Sequence, residues 1–294
     1  MRIVTPVIIG DAELTSTTAT NEYADWAAGT FNTGDRVVND RVVWEALADA
    51  VTSEPSTLVP TDWLRVGFSN RWRMFTEGRD SVTTDVGLLE VELLPLKVVS
   101  TVGLLGITGA SASVVMTDGT EGVVYDKTVS LVDIGVADHW SWHFLAYEFD
   151  ETAIFQGLPP YQNATTTISV DGGVITDPVG CGRVVIGPEI DIGATQYGTS
   201  VEVLDYSTKE RDPFGNLTLI PRRTITLVDF DVTIESARVD FTLRQLRKIA
   251  ALPALFIGDV ETYRSAIVFG IYRSAVQGID TPSVSDLTLQ VEEF

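Results

Sequence analysis

The 294-residue chain has little cysteine and little positive charge, and each shortage excludes a class of protein. Cys181 is the only cysteine, so a fold stapled by internal disulfides is excluded. Twenty lysines and arginines stand against 41 aspartates and glutamates, which gives a formal net charge of −21 at pH 7. A charge of that sign repels nucleic-acid phosphates and anionic lipid headgroups, so we expect no nucleic-acid binding and no docking to a membrane surface.

Long apolar runs are also missing. No stretch reaches the roughly 18 consecutive apolar residues of a membrane span, so no membrane insertion is expected. The sequence MRIVTPVIIG has one arginine and a short apolar run that ends at Gly10 and Asp11, without the longer core and small-residue cleavage site of a signal peptide. We therefore expect synthesis in a cytoplasm.

The sequence is rich in β-strand signals. Runs of Val, Ile, Thr and aromatic residues recur between Gly, Asp, Asn and Pro, at 88–94, 113–116, 122–125, 165–170, 183–186, 200–204 and 224–232. This spacing predicts a mainly β fold of the sandwich or barrel type. The segments Thr117-Asp118-Gly119-Thr120 and Asp171-Gly172-Gly173 each predict a hairpin turn.

One segment, 236–251, has the period of an amphipathic helix. Its apolar stripe at helical spacing consists of Val239, Leu243, Leu246 and Ala250. Pro253 follows and is expected to end the helix.

Composition divides the chain into four regions. We predict an N-terminal extended segment at 1–21, a small aromatic-rich β module at 22–67, a jelly-roll-like β-sandwich at 68–190, and a C-terminal β-rich part with one helix at 191–294. No repeat of 20 to 50 residues is present, which argues against a solenoid or propeller.

Few residues are candidates for catalysis or metal binding. In a strand, His139 and His143 would share one face, with Trp140 and Trp142 on the other. This arrangement is either a two-histidine metal face or a half-exposed strand that buries its tryptophans. The second interpretation is favoured, because no third ligand is close in sequence.

The remaining candidates are one thiol and the acidic pairs. Cys181 is either a nucleophile or a buried small residue, and the second is favoured. Asp229 and Asp231 would share a strand face, whereas a glycosidase needs carboxylates on two facing walls. We therefore expect no enzymatic activity, no cofactor and no metal.

The 22–67 module carries aromatic residues in a distinctive order. The pattern consists of Trp26, Phe31, Gly34, Asp35, Val37, Trp44, Glu45, Ala46 and Trp63. It resembles the small chitin-binding type of carbohydrate-binding module, which implies that Trp26, Phe31, Trp44 and Trp63 are either glycan-contacting or core aromatics. The core interpretation is favoured, because residues 47–50 (LADA) stand where that family has exposed stacking tryptophans.

A second resemblance follows directly. Residues 63–75 read WLRVGFSNRWRMF, which resembles a segment of tail proteins of long-tailed bacteriophages, in which such a module precedes a β-sandwich. Segments at 158–161, 179–182 and 205–215 fit the same family. The resemblance implies a structural virion component at the tail tip, baseplate or tail-fibre base, made in the host cytoplasm.

The partners implied by that resemblance are other tail proteins, further copies of this chain and a host-surface glycan. The alternative is a free carbohydrate-binding or adhesin-like protein. Residues from about 190 onward are expected to hold the chain in its assembly. The candidate subunit contacts are Arg71, Arg73, Asp205, Tyr206, Lys209 and Phe214.

Two sets of basic residues belong to this expectation. The first is Arg65, Arg71, Arg73 and Arg79, and the second is Arg238, Arg244, Arg247, Lys248 and Arg264. Either set would offer positive charge to an acidic neighbour or neutralise carboxylates of the same chain.

Overall fold

The computed structural model describes residues 1–56, 62–76, 81–133, 139–144, 148–211, 214–215, 217–260, 263–278 and 281–294. The protein is mainly β, with several antiparallel sheets, a β-sandwich-like arrangement and one helix near the C-terminus. The predicted fold class is confirmed. All seven predicted strand runs lie within or largely overlap strands.

The elements of the first half, in chain order, are β1 (Arg2–Val4), β2 (Leu14–Thr17), β3 (Arg36–Asn39), β4 (Val42–Ala46), β5 (Trp63–Phe68), β6 (Thr83–Val86), β7 (Leu88–Leu93), β8 (Thr101–Thr108), β9 (Ser111–Asp118), β10 (Gly122–Ser130), β11 (Val132–Asp133), α1 (His139–Phe144) and β12 (Glu148–Phe149). A 3-10 helix at Asn70–Phe75 lies between β5 and β6.

The elements of the second half are β13 (Thr152–Gln156), β14 (Thr165–Asp171), β15 (Pro178–Gly187), β16 (Glu189–Asp191), β17 (Ala194–Thr195), β18 (Ser200–Asp205), β19 (Thr208–Arg211), β20 (Leu217–Ile220), β21 (Thr224–Glu235), α2 (Val239–Lys248), β22 (Ala254–Ile257), β23 (Ile267–Gln277) and β24 (Val284–Glu293). Short 3-10 helices occupy Ser236–Arg238 and Arg264–Ala266.

The chain forms two compact units, one inserted into the sequence of the other. Unit 1 consists of Met1–Val7 with Ile186–Phe294, and unit 2 is Ile8–Val185. The predicted N-terminal segment 1–21 is therefore divided, because β1 pairs within unit 1 and β2 pairs within unit 2.

Unit 1 contains an eight-stranded sheet in the order β16-β1-β22-β23-β24-β21-β17, with β18 also paired to β21. Strand β21 buries every second residue, Val228, Phe230, Val232 and Ile234, as a half-buried strand must. Leu246 of α2 packs into the same core. So does Ile249, the first residue after the helix.

The C-terminal helix is shorter than its predicted range of 236–251. Its first three residues are 3-10, the α-helical part ends at Lys248, and Ala251 has a positive φ of 61°. Ala250 is exposed and not part of the buried stripe. The predicted helix is present, but its predicted end and the place of Ala250 in the stripe were wrong, because the α-helix ends at Lys248 with Ile249 as its C-cap.

Unit 2 contains a five-stranded sheet in the order β10-β9-β14-β7-β2 and a four-stranded sheet in the order β13-β8-β15-β6. The predicted hairpin turn at 117–120 joins β9 to β10, and the Thr120 amide donates to Asp118 Oδ2 over 2.8 Å. The Asp171 turn does not form a hairpin, because β14 and β15 lie in different sheets. Its local chemistry is present, since Gly173 donates to Asp171 Oδ1 over 2.8 Å, but a turn signal does not choose a strand's partner.

Unit 2 also contains the three-stranded sheet β3-β4-β5 of the aromatic module. Its small core gathers Val37, Val42, Trp44, Ala46, Val51 and Trp63. Trp26, Phe31 and Phe68 pack against this core from its edge.

The histidine-tryptophan segment is helix α1, so the predicted strand was wrong. A spacing of four places His139 and His143 on one face in either a strand or a helix, and the two ring centroids are 5.5 Å apart. Trp140 is exposed instead of buried. None of the helices within the described ranges has the length and hydropathy needed to span a membrane.

Candidate functional site

The module's aromatic residues form a core and not a flat platform. Trp44 and Trp63 are buried, and Phe31 packs edge-on against Trp63 with ring centroids 5.4 Å apart. Trp44 Nε1 donates to the Asn39 carbonyl over 3.2 Å, and Trp63 Nε1 donates to the Ser53 carbonyl over 3.0 Å. Both indoles therefore stabilise the fold of the module and are not available to a ligand. Trp26 and Phe31 are half-buried beside them.

Asn70, in the middle of the phage-like motif, is a buried hub of hydrogen bonds. Its Nδ2 donates to the Thr84 carbonyl over 2.8 Å and to the Thr20 carbonyl over 3.1 Å. Its Oδ1 accepts from the Thr84 amide over 2.9 Å, and its own amide donates to Glu22 Oε2 over 2.7 Å. One side chain thus joins three separate segments of unit 2.

The arginines near this motif serve local contacts. Arg73 forms an ion pair with Glu22, and Arg65 lies over the ring of Phe68 at 4.9 Å. Arg71 is half-buried, and its Nε has no hydrogen-bond partner among the residues that the structure describes. The fourth predicted member, Arg79, lies outside the described residues.

A further arginine, Arg41 between β3 and β4, contacts the phage-like motif 63–75. Arg41 stacks its guanidinium over the buried ring of Trp72 at 4.5 Å, and it also pairs with Asp11. For Arg73, the structure therefore contains the alternative of pairing with a carboxylate of the same chain.

The candidates for chemistry are not brought together. Burial raises the pKa of the Cys181 thiol to about 12, so the thiol is protonated at neutral pH and is not poised as a nucleophile. Asp231 Oδ1 accepts a hydrogen bond from the Thr288 hydroxyl over 3.2 Å. Over the described parts of the chain, no three His, Cys, Asp or Glu side chains converge as metal ligands.

The predicted subunit contacts Asp205, Tyr206 and Lys209 lie at or within a hairpin that extends β18 and β21. Beyond the last β18–β21 pair, Asp205 with Thr224, the chain pairs again as β19 with β20, starting at Thr208 with Ile220. Between these two paired regions, residues 206–207 lie opposite residues 221–223. Pro221 has no amide hydrogen and cannot donate a hydrogen bond to the neighbouring strand. We call β19 and β20 the distal hairpin.

The distal hairpin exposes apolar side chains on both faces. All four residues of β20 are exposed, with Leu217 at 55% and Leu219 at 56%, and Phe214 near the turn is 90% exposed. At its base Tyr206 is exposed as well. Much of the exposed surface of the distal hairpin is therefore apolar, although its described residues form no core of their own.

The base of the distal hairpin is held by local polar contacts. Asp205 Oδ1 accepts from the Ser207 amide over 2.9 Å, and Lys209 lies 3.2 Å from the same carboxylate. The hydrogen bonds from Ser207, and then Lys209, lower the pKa of Asp205 to about 2. Its carboxylate therefore stays ionised at neutral pH.

A concave site in unit 1 was not anticipated from the sequence. Strands β17 and β18 pair with the same strand, β21, and the residues 196–199 between them form a turn that projects from the sheet. This turn and the described residues of the β22–β23 connection, 258–259 and 263–266, line an open pocket of about 540 Å³. Its lining includes Gln196, Tyr197, Thr199, Asp259, Tyr263 and Ser265.

The only sequence signal for this pocket is the string Gln196-Tyr197-Gly198-Thr199 within an otherwise strand-like region. An aromatic residue before a turn glycine is compatible with an exposed ring, but it does not identify the second wall. That wall lies some 60 residues later and is brought near by strand pairing.

Comparison with known proteins gave no assignment. A scan against protein-family models found no match, and a search of curated proteins found no significant relative.

We predict that Asn70→Ala destabilises unit 2 by about 1–3 kcal/mol, because it removes the partners of the Thr84 amide and of two carbonyls. Urea denaturation of the full chain measures the free energy of unfolding. The matched control is Asn163→Ala, at an exposed position, where the change should stay within about 0.5 kcal/mol. Equal effects of the two substitutions would contradict the role of Asn70 as a hub.

Proposed function

We propose that this protein is a structural subunit that associates with further copies of itself through β18 and the distal hairpin. The observation that carries the proposal is the exposed apolar surface of β20 and Phe214 on a hairpin that no described core covers. A two-stranded hairpin without a packed face is marginally stable in water. Contact with a second copy would supply the missing packing.

The energetics favour burial of this surface. Fully burying a leucine contributes about 1.5–3 kcal/mol, so Leu217, Leu219 and Ile220 together could supply several kcal/mol to association. Association also costs translational and rotational freedom. Backbone hydrogen bonds between the strand edges of two copies would add to the free energy of association.

Strand β18 offers such an edge. Among the described strands it pairs with β21 alone, and its side chains Val201 and Val203 are exposed. An exposed strand edge with apolar side chains is a template for another strand. In this chain the edge leads directly into the distal hairpin, so the two form one continuous surface.

Charge makes this surface suitable for a second copy. The chain carries −21 overall, and like charge opposes self-association over most of its surface. Residues 200–223 hold four acidic and four basic side chains and are therefore neutral. Two copies that meet here avoid the net repulsion that they would meet elsewhere.

The proposed setting of the assembly is the tail tip or baseplate of a tailed bacteriophage. The resemblance of residues 63–75 to phage tail proteins supports this setting, and the contacts of Asn70, Trp72 and Met74 give that motif a structural purpose within unit 2. A non-catalytic role agrees with the protonated, buried thiol of Cys181.

The first prediction from this proposal concerns self-association. The double variant L217E/L219E should raise the dissociation constant at least tenfold, because it places carboxylates where apolar side chains meet. Sedimentation velocity over a range of protein concentrations measures it. Circular dichroism should be unchanged, because both positions are exposed.

The matched control is V123E/I175E, which adds the same charge at two exposed apolar positions of unit 2. It should associate as the unaltered protein does. The proposal fails if the unaltered protein is monomeric at all concentrations, or if both double variants associate equally.

The second prediction concerns the virion. If the setting is right, mass spectrometry of purified phage particles from the source strain should detect this chain in a fixed copy number relative to the major tail proteins. Its presence only in the lysate supernatant would contradict a virion role and leave the self-association result unaffected.

A further inference from the structure

We infer that the pocket of unit 1 between residues 196–199 and the β22–β23 connection binds an uncharged saccharide. The inference goes beyond the assembly role, because ligand binding is a separate activity; the pocket shares no residue with the distal hairpin and one residue, Val201, with β18. Its volume of about 540 Å³ falls within the range of about 300–1,000 Å³ typical of small-ligand sites.

The pocket is formed in advance of any ligand. The Gln196 amide donates to the Asp231 carbonyl over 2.7 Å, and the Asp231 amide donates to Thr199 Oγ1 over 3.3 Å. These bonds fasten both ends of the projecting turn to β21. Thr195 Oγ1 donates to the Gly258 carbonyl over 2.9 Å and so ties the turn to the opposite wall. A site that is already ordered loses little entropy on binding.

Glycine is required at the tip of the turn. Gly198 has a φ of +121°, in a region that disfavours side chains, and a Cβ there would lie 2.9 Å from Asp231 Oδ2. This close approach to β21 fixes where the neighbouring Tyr197 leaves the backbone.

Two tyrosines line the pocket without contributing a buried ring to the core. Tyr197 is 96% exposed and Tyr263 is 55% exposed. A tyrosine offers a flat apolar ring and a polar tip at low cost in side-chain entropy. Those are the properties that suit the apolar face and the hydroxyl rim of a sugar ring.

The polar groups of the pocket both donate and accept hydrogen bonds. The Gln196 amide and the Ser265 hydroxyl can do either, and the Asp259 carboxylate accepts. No hydrogen bond within the described ranges engages the side chains of Gln196, Tyr197 or Ser265. Ligand hydroxyls, which also donate and accept, match this set.

Charge selects against anionic ligands. Neither lysine nor arginine is found among the described residues that line the pocket. The chain's net charge of −21 repels phosphorylated or carboxylated ligands. A neutral polyhydroxylated ligand remains as the best match.

The test is saturation-transfer NMR and calorimetry on the full chain with chitotriose, cellotriose, maltotriose and the anionic sialyllactose. At least one neutral trisaccharide should bind. Tyr197→Ala and Tyr263→Ala should each weaken that binding at least about tenfold, which corresponds to about 1.4 kcal/mol. The matched control is Tyr161→Ala, a half-buried tyrosine of unit 2 outside the pocket and the association surface, which should bind as the unaltered protein does.

Several results would overturn the inference. They are the absence of neutral-sugar binding at millimolar concentration, tighter binding of sialyllactose, unchanged binding by Tyr197→Ala, or equal weakening by Tyr161→Ala. The L217E/L219E variant should keep its sugar affinity, and Tyr197→Ala should keep its self-association. A failure of the saccharide site is thereby distinguished from a failure of the assembly proposal.

Discussion

The double use of strand β21 is the constraint on which unit 1 depends. One edge of β21 pairs with β24, and the other pairs with both β17 and β18. Because these two short strands share one partner, the residues between them, 196–199, project from the sheet and form one wall of the pocket. Past the last β18–β21 pair, Asp205 with Thr224, the chain pairs again as the distal hairpin, which is a separate two-stranded sheet. The pocket and the association surface are thus consequences of one twelve-residue strand whose alternate side chains are buried.

Aromatic and apolar side chains are used in two opposite ways in this chain. In the module of unit 2, Trp44 and Trp63 are buried and hydrogen-bonded, so they stabilise a small sheet with few other resources. In unit 1, Tyr197, Leu217 and Leu219 are exposed to water at a cost in hydrophobic free energy. Side chains that do not stabilise the isolated chain are the ones best suited to contact something else. The resemblance to a sugar-binding module pointed to the tryptophans of unit 2, whereas the tyrosines that line the pocket lie in unit 1.

Local patterns in the sequence were sufficient for the strands and for the small core. A run rich in Val, Ile, Thr and aromatic residues predicted β21, and the shortness of the module predicted that Trp44 would be buried. The prediction from sequence was wrong for α1. A spacing of four residues places the two histidines on one face in a strand and in a helix alike, so the spacing could not distinguish the two structures. Prediction from sequence also failed where distant strands decide the outcome. Ile3 pairs with Ile190 on one side and Phe256 on the other, and no local rule selects partners so far along the chain. The pocket depends on the same long-range pairing.

Hydrogen exchange measured by mass spectrometry at low and high protein concentration tests the central claim most directly, namely that the edge of β18 and the distal hairpin are covered by a second copy. The amides of β24 lie between two strands and serve as the internal reference, with slow exchange at both concentrations. The account predicts that peptides covering Ser200–Asp205 and Leu217–Ile220 exchange quickly in dilute protein and become protected as the protein associates. Exchange in these peptides that stays equally fast at both concentrations, while sedimentation shows association, would contradict it.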